Sequence, residues 1–341
     1  MASKIPTLAD VAQAAGVHAS SVSRVMNPAT RGMVSAEVAN RVLAEARKVG
    51  YRANRAAATL RTRRSEVIGV VIPDITNAVF PPILMGIEDG LRRHGYLAIV
   101  ANVSNDVDEQ RFVINRLLGQ QVDGLIVATA RRQDSLIQHC VESGVAVVAV
   151  NRSEESGVAS CVVNDEACGV RLAVDHLVAL GHRQLAHIAG PEHLSTGHLR
   201  RLGFLDALQA AGIAPSAAMV VESGGYSRDA GKAALLELLR RAPETTAIVA
   251  GNDLVALGCY DALNELGLAF PRRISIVGHN DMPLMDMLSP PLTTVRIRHH
   301  DMGLEAARLV LQRIALPDSP VLDIRLKPEL IVRGSTGPVA R

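Results

Sequence analysis

From residue 67 onward the chain alternates short, continuous apolar runs with amphipathic stretches: "VIGVVIP", "LAIVANV", "GLIVAT", "VAVVAV", "QLAHIAG", "AMVVES", "AIVAG" and "ISIVG" stand between segments such as "ILMGIEDGLRRHG", "EQRFVINRLLGQ", "VRLAVDHLVALGH" and "AGKAALLELLRRA". A strand that is apolar at every position has no face left for water. Helices recurring between such strands must therefore cover both faces of parallel sheets. The runs, with a closing helix "GLEAARLVLQRI" and strand "KPELIVRGS", are too many for one small sheet. Two sheet subdomains are expected, with a break near Asn164–Cys168. A chain of 341 residues exceeds what one core usually serves, and with no Trp and 2% aromatic residues those cores must be built from Ala, Val, Leu and Ile. Such a body is suited to closing on a ligand at the carboxyl ends of its strands.

The first 50 residues have a different period. "TLADVAQAAG" offers Thr7 as N-cap, places Leu8, Val11 and Ala12 on one face and stops at Gly16. His18–Asn27 reads as a second helix closed by Pro28. Ser35 caps a third, "SAEVANRVLAEARKVG", with Val38, Val42, Leu43 and Ala46 at helical spacing and Gly50 at its end. Two short helices joined by a tight turn containing Gly is the helix-turn-helix pattern. "YRANRAAATLRTRRSE" follows as an Arg- and Ala-rich connector. Residues 1–65 hold eleven Lys/Arg against three acids, a charge of +8, which leaves −6 for the rest of a chain whose total is +2. A basic head on a mildly acidic body suggests a polyanionic partner for the head. On charge alone, a basic tail without a specific partner remains the other reading.

Several classes are excluded. No GxGxxG follows the first strand, and GxxxxGK[ST], GxSxG and HExxH do not occur, so no enzyme signature is present and no cofactor is implied. Cys140, Cys161, Cys168 and Cys259 form no CxxC pair, so reduced, mostly buried thiols are expected. His299 and His300, in "RHH", lack companions at metal spacing and read as a solvated helix start. No apolar run spans a membrane and "MASKIPTLADVAQ" has no signal-peptide core, which makes the cytosol the expected location. The class that competes with a protein whose head binds a polyanion is a small-molecule binding module with no nucleic-acid role.

"TLADVAQAAGVHASSVSRVMN", "AEVANRVLAEARKVGYRANRAAATLRT" and "IGVVIPDITNAVF" closely resemble the lactose-repressor family of bacterial transcription regulators. The likeness continues through "QVDGLIV", "HLVALGHRQLAHIAGP", "AIVAGNDLVALGCYDALNELGL", "ISIVGHNDMPLMDMLSPPLTTVRI" and "RLKPELIVRGS", in order along essentially the whole chain. The resemblance implies an N-terminal all-α helix-turn-helix domain at 1–50, a hinge at 51–66 and an α/β core at 67–341 made of two parallel-sheet, periplasmic-binding-protein-like subdomains. The expected subdomain limits are about 67–165 with 295–325, and about 166–294 with 326–341. It further implies a homodimer, a repressor, that binds near-palindromic operator DNA and responds to a small effector.

By match to the family, Ala19 and Ser20 set sequence specificity, Arg24 contacts bases one turn later, and Thr7, Ser21 and Asn27 hold phosphates or brace the turn. Short side chains let a helix tip approach base edges in the major groove. From the residues alone, Ser20 and Ser23 read as ordinary solvated helix surface. In the connector, Leu60 matches the family's minor-groove wedge, and Arg55 and Arg61 lie where they could meet phosphates; packing of Leu60 on the core is the alternative. His18 stands where the family places a capping serine, and its ring could cap the helix or reach a phosphate.

Phe80, Asn151, Arg200, Tyr226, Asn252 and Asn280 match the family's effector cleft. Aromatic faces, amides and a guanidinium fork suit a sugar. Against that reading, Tyr226 could be core, and one of Arg200 and Arg201 simply solvated. Asn151 and Asn280 stand where the family often has acids. With Arg200 kept, this leaves a less negative site and suggests a sugar acid or sugar phosphate. No heptad tail follows "IVRGSTGPVAR", so no tetramer built through such a helix is expected.

Overall fold

The computed structural model describes residues 6–27, 30–51, 64–216 and 219–339. Arg55, Arg61 and Leu60, expected to contact DNA, lie outside the described residues. Chain contacts divide the protein between Ser65 and Glu66 into two units.

In the first unit, helix α1 (Leu8–Ala15) begins at a reciprocal capping box. The Asp10 N–H donates to Thr7 Oγ1 at 3.4 Å, and Asp10 Oδ2 accepts from the Thr7 N–H at 2.7 Å. It ends at Gly16, whose φ of 63° is a left-handed conformation costly to other residues. Helices α2 (Ala19–Met26) and α3 (Ala36–Lys48) follow, the latter capped by Ser35. Val11, Val22, Val25 and Val42 are completely buried among Ala12, Ala15, Ala39 and Ala46. Small side chains let three short helices pack closely, and each buried Val contributes about 1.5–3 kcal/mol of transfer free energy before entropy is counted. Leu8, Val38 and Leu43, expected on the apolar faces, lie at the margin of this core.

Among the described residues, the second unit holds twelve strands in two six-stranded sheets. The first contains β1 (Val67–Ile72), β2 (Leu97–Asn102), β3 (Gly124–Val127), β4 (Ala146–Val150), β5 (Ser160–Asn164) and β11 (Asp323–Leu326), in the order β11-β5-β4-β3-β1-β2, with every pair parallel. The second contains β6 (Leu185–Ala189), β7 (Val220–Glu222), β8 (Ala247–Ala250), β9 (Ser275–Asn280), β10 (Thr293–Arg296) and β12 (Glu329–Ile331), in the order β12-β10-β9-β8-β6-β7. Here β12 runs antiparallel to β10 at the sheet edge, a departure from the all-parallel expectation. β3 and β8 are buried at every position, as strands sandwiched between helices must be. β2 is different: as an edge it leaves Leu97, Ile99 and Val100 exposed at 57%, 40% and 41%.

Helices α4 (Phe80–Arg92), α5 (Val107–Gly119) and α6 (Ser135–Glu142) accompany the first sheet, and α7 (Glu166–Ala179), α8 (Ser195–Ala210), α9 (Arg228–Arg241) and α10 (Asp253–Glu265) the second. The chain crosses between sheets after Asn164, again between Arg296 and helix α11 (His299–Ala315), and finally between Leu326 and Glu329. α11 lies against α4 so closely that a Cβ on Gly303 would sit 2.1 Å from the Ile83 carbonyl oxygen. Contrary to a solvated helix start, His299 is half-buried and burial pulls its imidazole down to about 4, while His300 Nε2 lies 3.1 Å from Asp89 Oδ2. The four cysteines are free thiols; all but the half-buried Cys168 are buried. Among the described residues no helix is long and apolar enough to cross a membrane.

Candidate functional site

The short side chains of α2 divide cleanly by face. Val22 and Val25 are buried, whereas Ser20 and Arg24 are exposed. Ala19 is half-buried at the helix tip, against the head core, and Ser21 and Asn27 are also half-buried. His18 is the N-cap: Nδ1 accepts the Ser20 N–H at 3.3 Å and lies 2.9 Å from Ser20 Oγ. The ring therefore satisfies the first turn, as a capping serine would. Thr7 is held by its capping box, its hydroxyl donating to Asp10 Oδ2 at 2.6 Å. Arg31 and Arg41 brace the turn, their Nε atoms donating to the Val25 and Ala15 carbonyls at 2.9 and 3.1 Å. The Arg24 guanidinium, by contrast, has no partner among the described residues. A free cation one turn beyond a tip of short side chains is suited to a base edge or a phosphate.

In the body, a cleft brings together Phe80, Asn151, Arg200, Tyr226, Asn252 and Asn280. Phe80 opens α4, Asn252 caps α10, and Arg200 lies in the second turn of α8. Asn151, Tyr226 and Asn280 stand at or just beyond the carboxyl ends of strands, and all six lie on the side where a parallel sheet places its ligand-facing groups. Phe80 begins α4 and is also core, at 2% exposure. Asn252 caps α10, its Oδ1 accepting the Val255 N–H at 2.9 Å, which leaves its amide NH2 for the cleft. Asn151 and Asn280 have φ of 65° and 117°, conformations that Asn tolerates better than most residues and that concentrate at ligand sites. The Tyr226 hydroxyl donates to Thr196 Oγ1 at 3.0 Å, and its ring needs Gly190, where a Cβ would come within 2.2 Å.

Sequence reasoning missed Asn77, Arg152 and Thr196, which also line the cleft. Arg152 directly follows Asn151, and a cation two residues beyond a fully apolar strand was the available signal. The residue is 5% exposed, and Nη1 donates to Asn105 Oδ1 at 3.0 Å. Burial pulls it down to about 10, so it stays charged at neutral pH.

Arg200 is neither solvated nor free. Its Nε and Nη2 donate to the two Glu166 carboxylate oxygens at 2.6 and 3.1 Å, and Nη1 donates to the Gly251 carbonyl at 2.5 Å. This corrects the expectation that Arg200 offers an open fork to a ligand anion, because its charge is met within the protein. Burial alone would raise the Glu166 carboxyl, but Arg200 and the nearby His279 together hold it well below the usual range. Asp281, beside Asn280, is engaged by Arg296 and Arg333, each at 2.7 Å. Asp253 is fully buried and pushed up to about 7 by burial, against the opposing hydrogen bonds from the Thr294 hydroxyl and the Met282 N–H.

Known proteins carry both halves of this geometry. Residues 7–54 match bacterial regulatory proteins of the lacI family, and residues 174–336 match a periplasmic binding protein-like domain. The HTH-type transcriptional regulator CelR of Thermobifida fusca is 34% identical, over 97% of this chain and 98% of its own length. A transcriptional regulator CelR–cellobiose complex superposes with a TM-score of 0.75 at 31% identity, covering 97% of this chain and 99% of that one. The lac repressor dimer bound to operator and the anti-inducer ONPF superposes with a TM-score of 0.85 at 29% identity, covering 98% and 100%. With a helix-turn-helix head, a two-sheet ligand-binding core and relatives matched end to end, the chain belongs to the lacI family of bacterial regulatory proteins and is a ligand-responsive, DNA-binding transcription regulator.

Proposed function

We propose that the chain is a homodimeric repressor in the cytosol. It binds a near-palindromic operator through the α2 face, and its affinity is set by a sugar-like effector in the cleft. The observation that carries this reading is the pairing, in one chain, of an exposed, partner-free Arg24 beside short side chains with a cleft built from both core sheets. Ala19, Ser20 and Arg24 read base edges, while Thr7, Ser21 and Asn27 position the head on the backbone. The apolar β2 edge, together with Phe112 at 63% exposure, supports a second copy of the chain as the dimer partner. A dimer supplies two heads for two half-sites. Arg55 and Leu60 act from the connector, with Leu60 wedged into the minor groove at the central step; the bend costs a few kcal/mol and is offset by new contacts.

Regulation follows as linkage. Phe80 and Asn151 come from the first sheet, and Arg200, Tyr226, Asn252 and Asn280 from the second, so a ligand touching both favours one relative arrangement of the two. That arrangement sets the spacing of the paired connectors and hence operator affinity. The four amides, the tyrosine and the phenylalanine suit a polyol, in keeping with a CelR relative's complex with cellobiose. No group in this arrangement suggests catalysis.

The test is selection of duplexes from a random pool by the full-length chain, followed by Leu60→Ala. An inverted repeat is expected, bound at least about tenfold more weakly by the variant while the core's thermal response to a cleft ligand is unchanged. Wild-type operator affinity in Leu60→Ala refutes the wedge. Failure to enrich any duplex returns the chain to a binding module without a DNA role.

A further inference from the structure

We propose that the effector carries an anionic oxygen group, a carboxylate or a phosphate, and that Arg152 receives it. The inference rests on the cleft being the effector site and goes further by assigning the ligand's charge.

A buried guanidinium costs several kcal/mol to desolvate unless an opposite charge offsets it. The cleft contains two guanidinium groups, and they differ in this respect. Arg200 is paired bidentately with Glu166. Arg152 has the Asn105 amide oxygen as its side-chain partner and, among the described residues, no carboxylate. The groups that bear on it electrostatically are Tyr226, Arg131 and Arg200, two of them cations that add to the positive potential. Among the described residues no acid lines the cleft: beside the two arginines stand Asn77, Asn151, Asn252, Asn280, Thr196 and Tyr226, with Val79 and Phe80. The body thus surrounds a polar, neutral lining with one uncompensated buried cation, even though residues 66–341 as a whole carry an excess of acids.

Asn105 occupies one edge of the fork, which fixes its direction, and the remaining N–H groups are donors for an oxyanion. Arg152 follows β4 of the first sheet, while Arg200 and Tyr226 belong to the second. A polyol held by the second sheet with its anion on Arg152 would tie the two together.

Full-length wild type, Arg152→Gln and Arg152→Lys are compared by thermal melting and calorimetry, at constant ionic strength, with glucose, glucuronate, glucose 6-phosphate and inorganic phosphate. Wild type is expected to be stabilised by anionic probes beyond the effect of glucose. Arg152→Gln should lose about 30-fold in affinity for them, and Arg152→Lys should keep part of it because the charge remains. Without ligand, Arg152→Gln should melt at or above wild type, since an unpaired buried charge has been removed. The ratio of the glucuronate to the phosphate responses identifies the oxyanion. The proposal is overturned if none of the anionic probes stabilises wild type, or if they stabilise Arg152→Gln equally. If a neutral sugar binds and shifts operator affinity without any charge preference, the subsite fails while the effector reading stands. If anions bind through Arg152 but leave operator affinity unchanged, the effector reading fails and the subsite stands.

Discussion

Glu166→Gln isolates the pair on which the cleft's electrostatics depend. The Arg200 and Glu166 side chains are 3% and 2% exposed, so solvent cannot replace a lost partner. Gln keeps the shape and one acceptor oxygen but removes the charge. The Arg200 guanidinium is then left with neutral acceptors, the new amide and Gly251, and the His279 imidazole 3.2 Å from Glu166 Oε2 loses its anion as well. Breaking a buried ion pair from one side costs about 3–5 kcal/mol. At about 2–4 °C per kcal/mol for a domain of this size, the core's melting temperature should fall by about 6–20 °C. Urea unfolding followed by far-UV circular dichroism reads the loss directly. Because the cost is that of an orphaned charge, Glu166→Gln with Arg200→Met should recover most of it, whereas independent contributions would add. The uncompensated charge should also make the single variant bind glucuronate or phosphate more tightly than wild type. A loss below about 1 kcal/mol in Glu166→Gln, or a double variant as unstable as the sum of the singles, would refute the claim that Arg200 is neutralised within the protein.

Two further outcomes test the head and the core separately. Arg24→Ala should weaken binding to the selected operator by about 1–3 kcal/mol per half-site and relax preference at one base pair, measured by anisotropy against single-substituted duplexes; equal weakening on all sequences would make Arg24 a phosphate contact instead. Asp253, pushed up to about 7 by burial, holds its proton more tightly folded than unfolded. Its contribution to stability is therefore complete below about pH 4 and is lost as pH rises to about 7, by roughly 4 kcal/mol. The His187 and His299 imidazoles, pulled down to about 4 by burial, act oppositely, costing stability as pH falls below about 6.5. The difference between wild type and Asp253→Asn across pH 4–8 cancels the histidines, and a difference that does not change with pH contradicts the assignment.

Much of this architecture could be read from local chemistry. Thr7, Gly16 and Ser35 mark the ends of α1 and α3 because caps act within a few residues of themselves. β1, β3 and β8 declare themselves through unbroken apolar runs. β5 ("SCVVN"), β10 ("TTVR") and β11 ("DIRL") do not, because polar residues interrupt them and find their partners far along the chain. Ser160 Oγ accepts from the Leu322 N–H at 3.1 Å, and the Thr294 hydroxyl donates to Asp253 Oδ1 at 2.6 Å. These strands flank the crossings, so both the sheet order and the antiparallel β10–β12 pair depended on tertiary contacts.

The cleft shows the same division. Phe80, Asn151, Arg200, Tyr226, Asn252 and Asn280 were nominated by resemblance and gather in one place. Their charges were not legible: Glu166 lies 34 residues from Arg200, and nothing in the local sequence announces the pair. Arg152 escaped notice for the complementary reason, since its distinguishing property is a partner it lacks. His18 was ambiguous because an imidazole can cap or reach outward, and only its Nδ1 geometry with Ser20 decides.

Regulation by this chain depends on coupling between cleft and operator. Operator affinity of the full-length chain, measured by anisotropy on the selected duplex with and without a saturating ligand that raises the core's melting temperature, should change by about 5–150-fold in one direction, and the operator should shift the ligand's affinity by the same factor. A ligand that saturates the cleft and leaves operator affinity unchanged would contradict it.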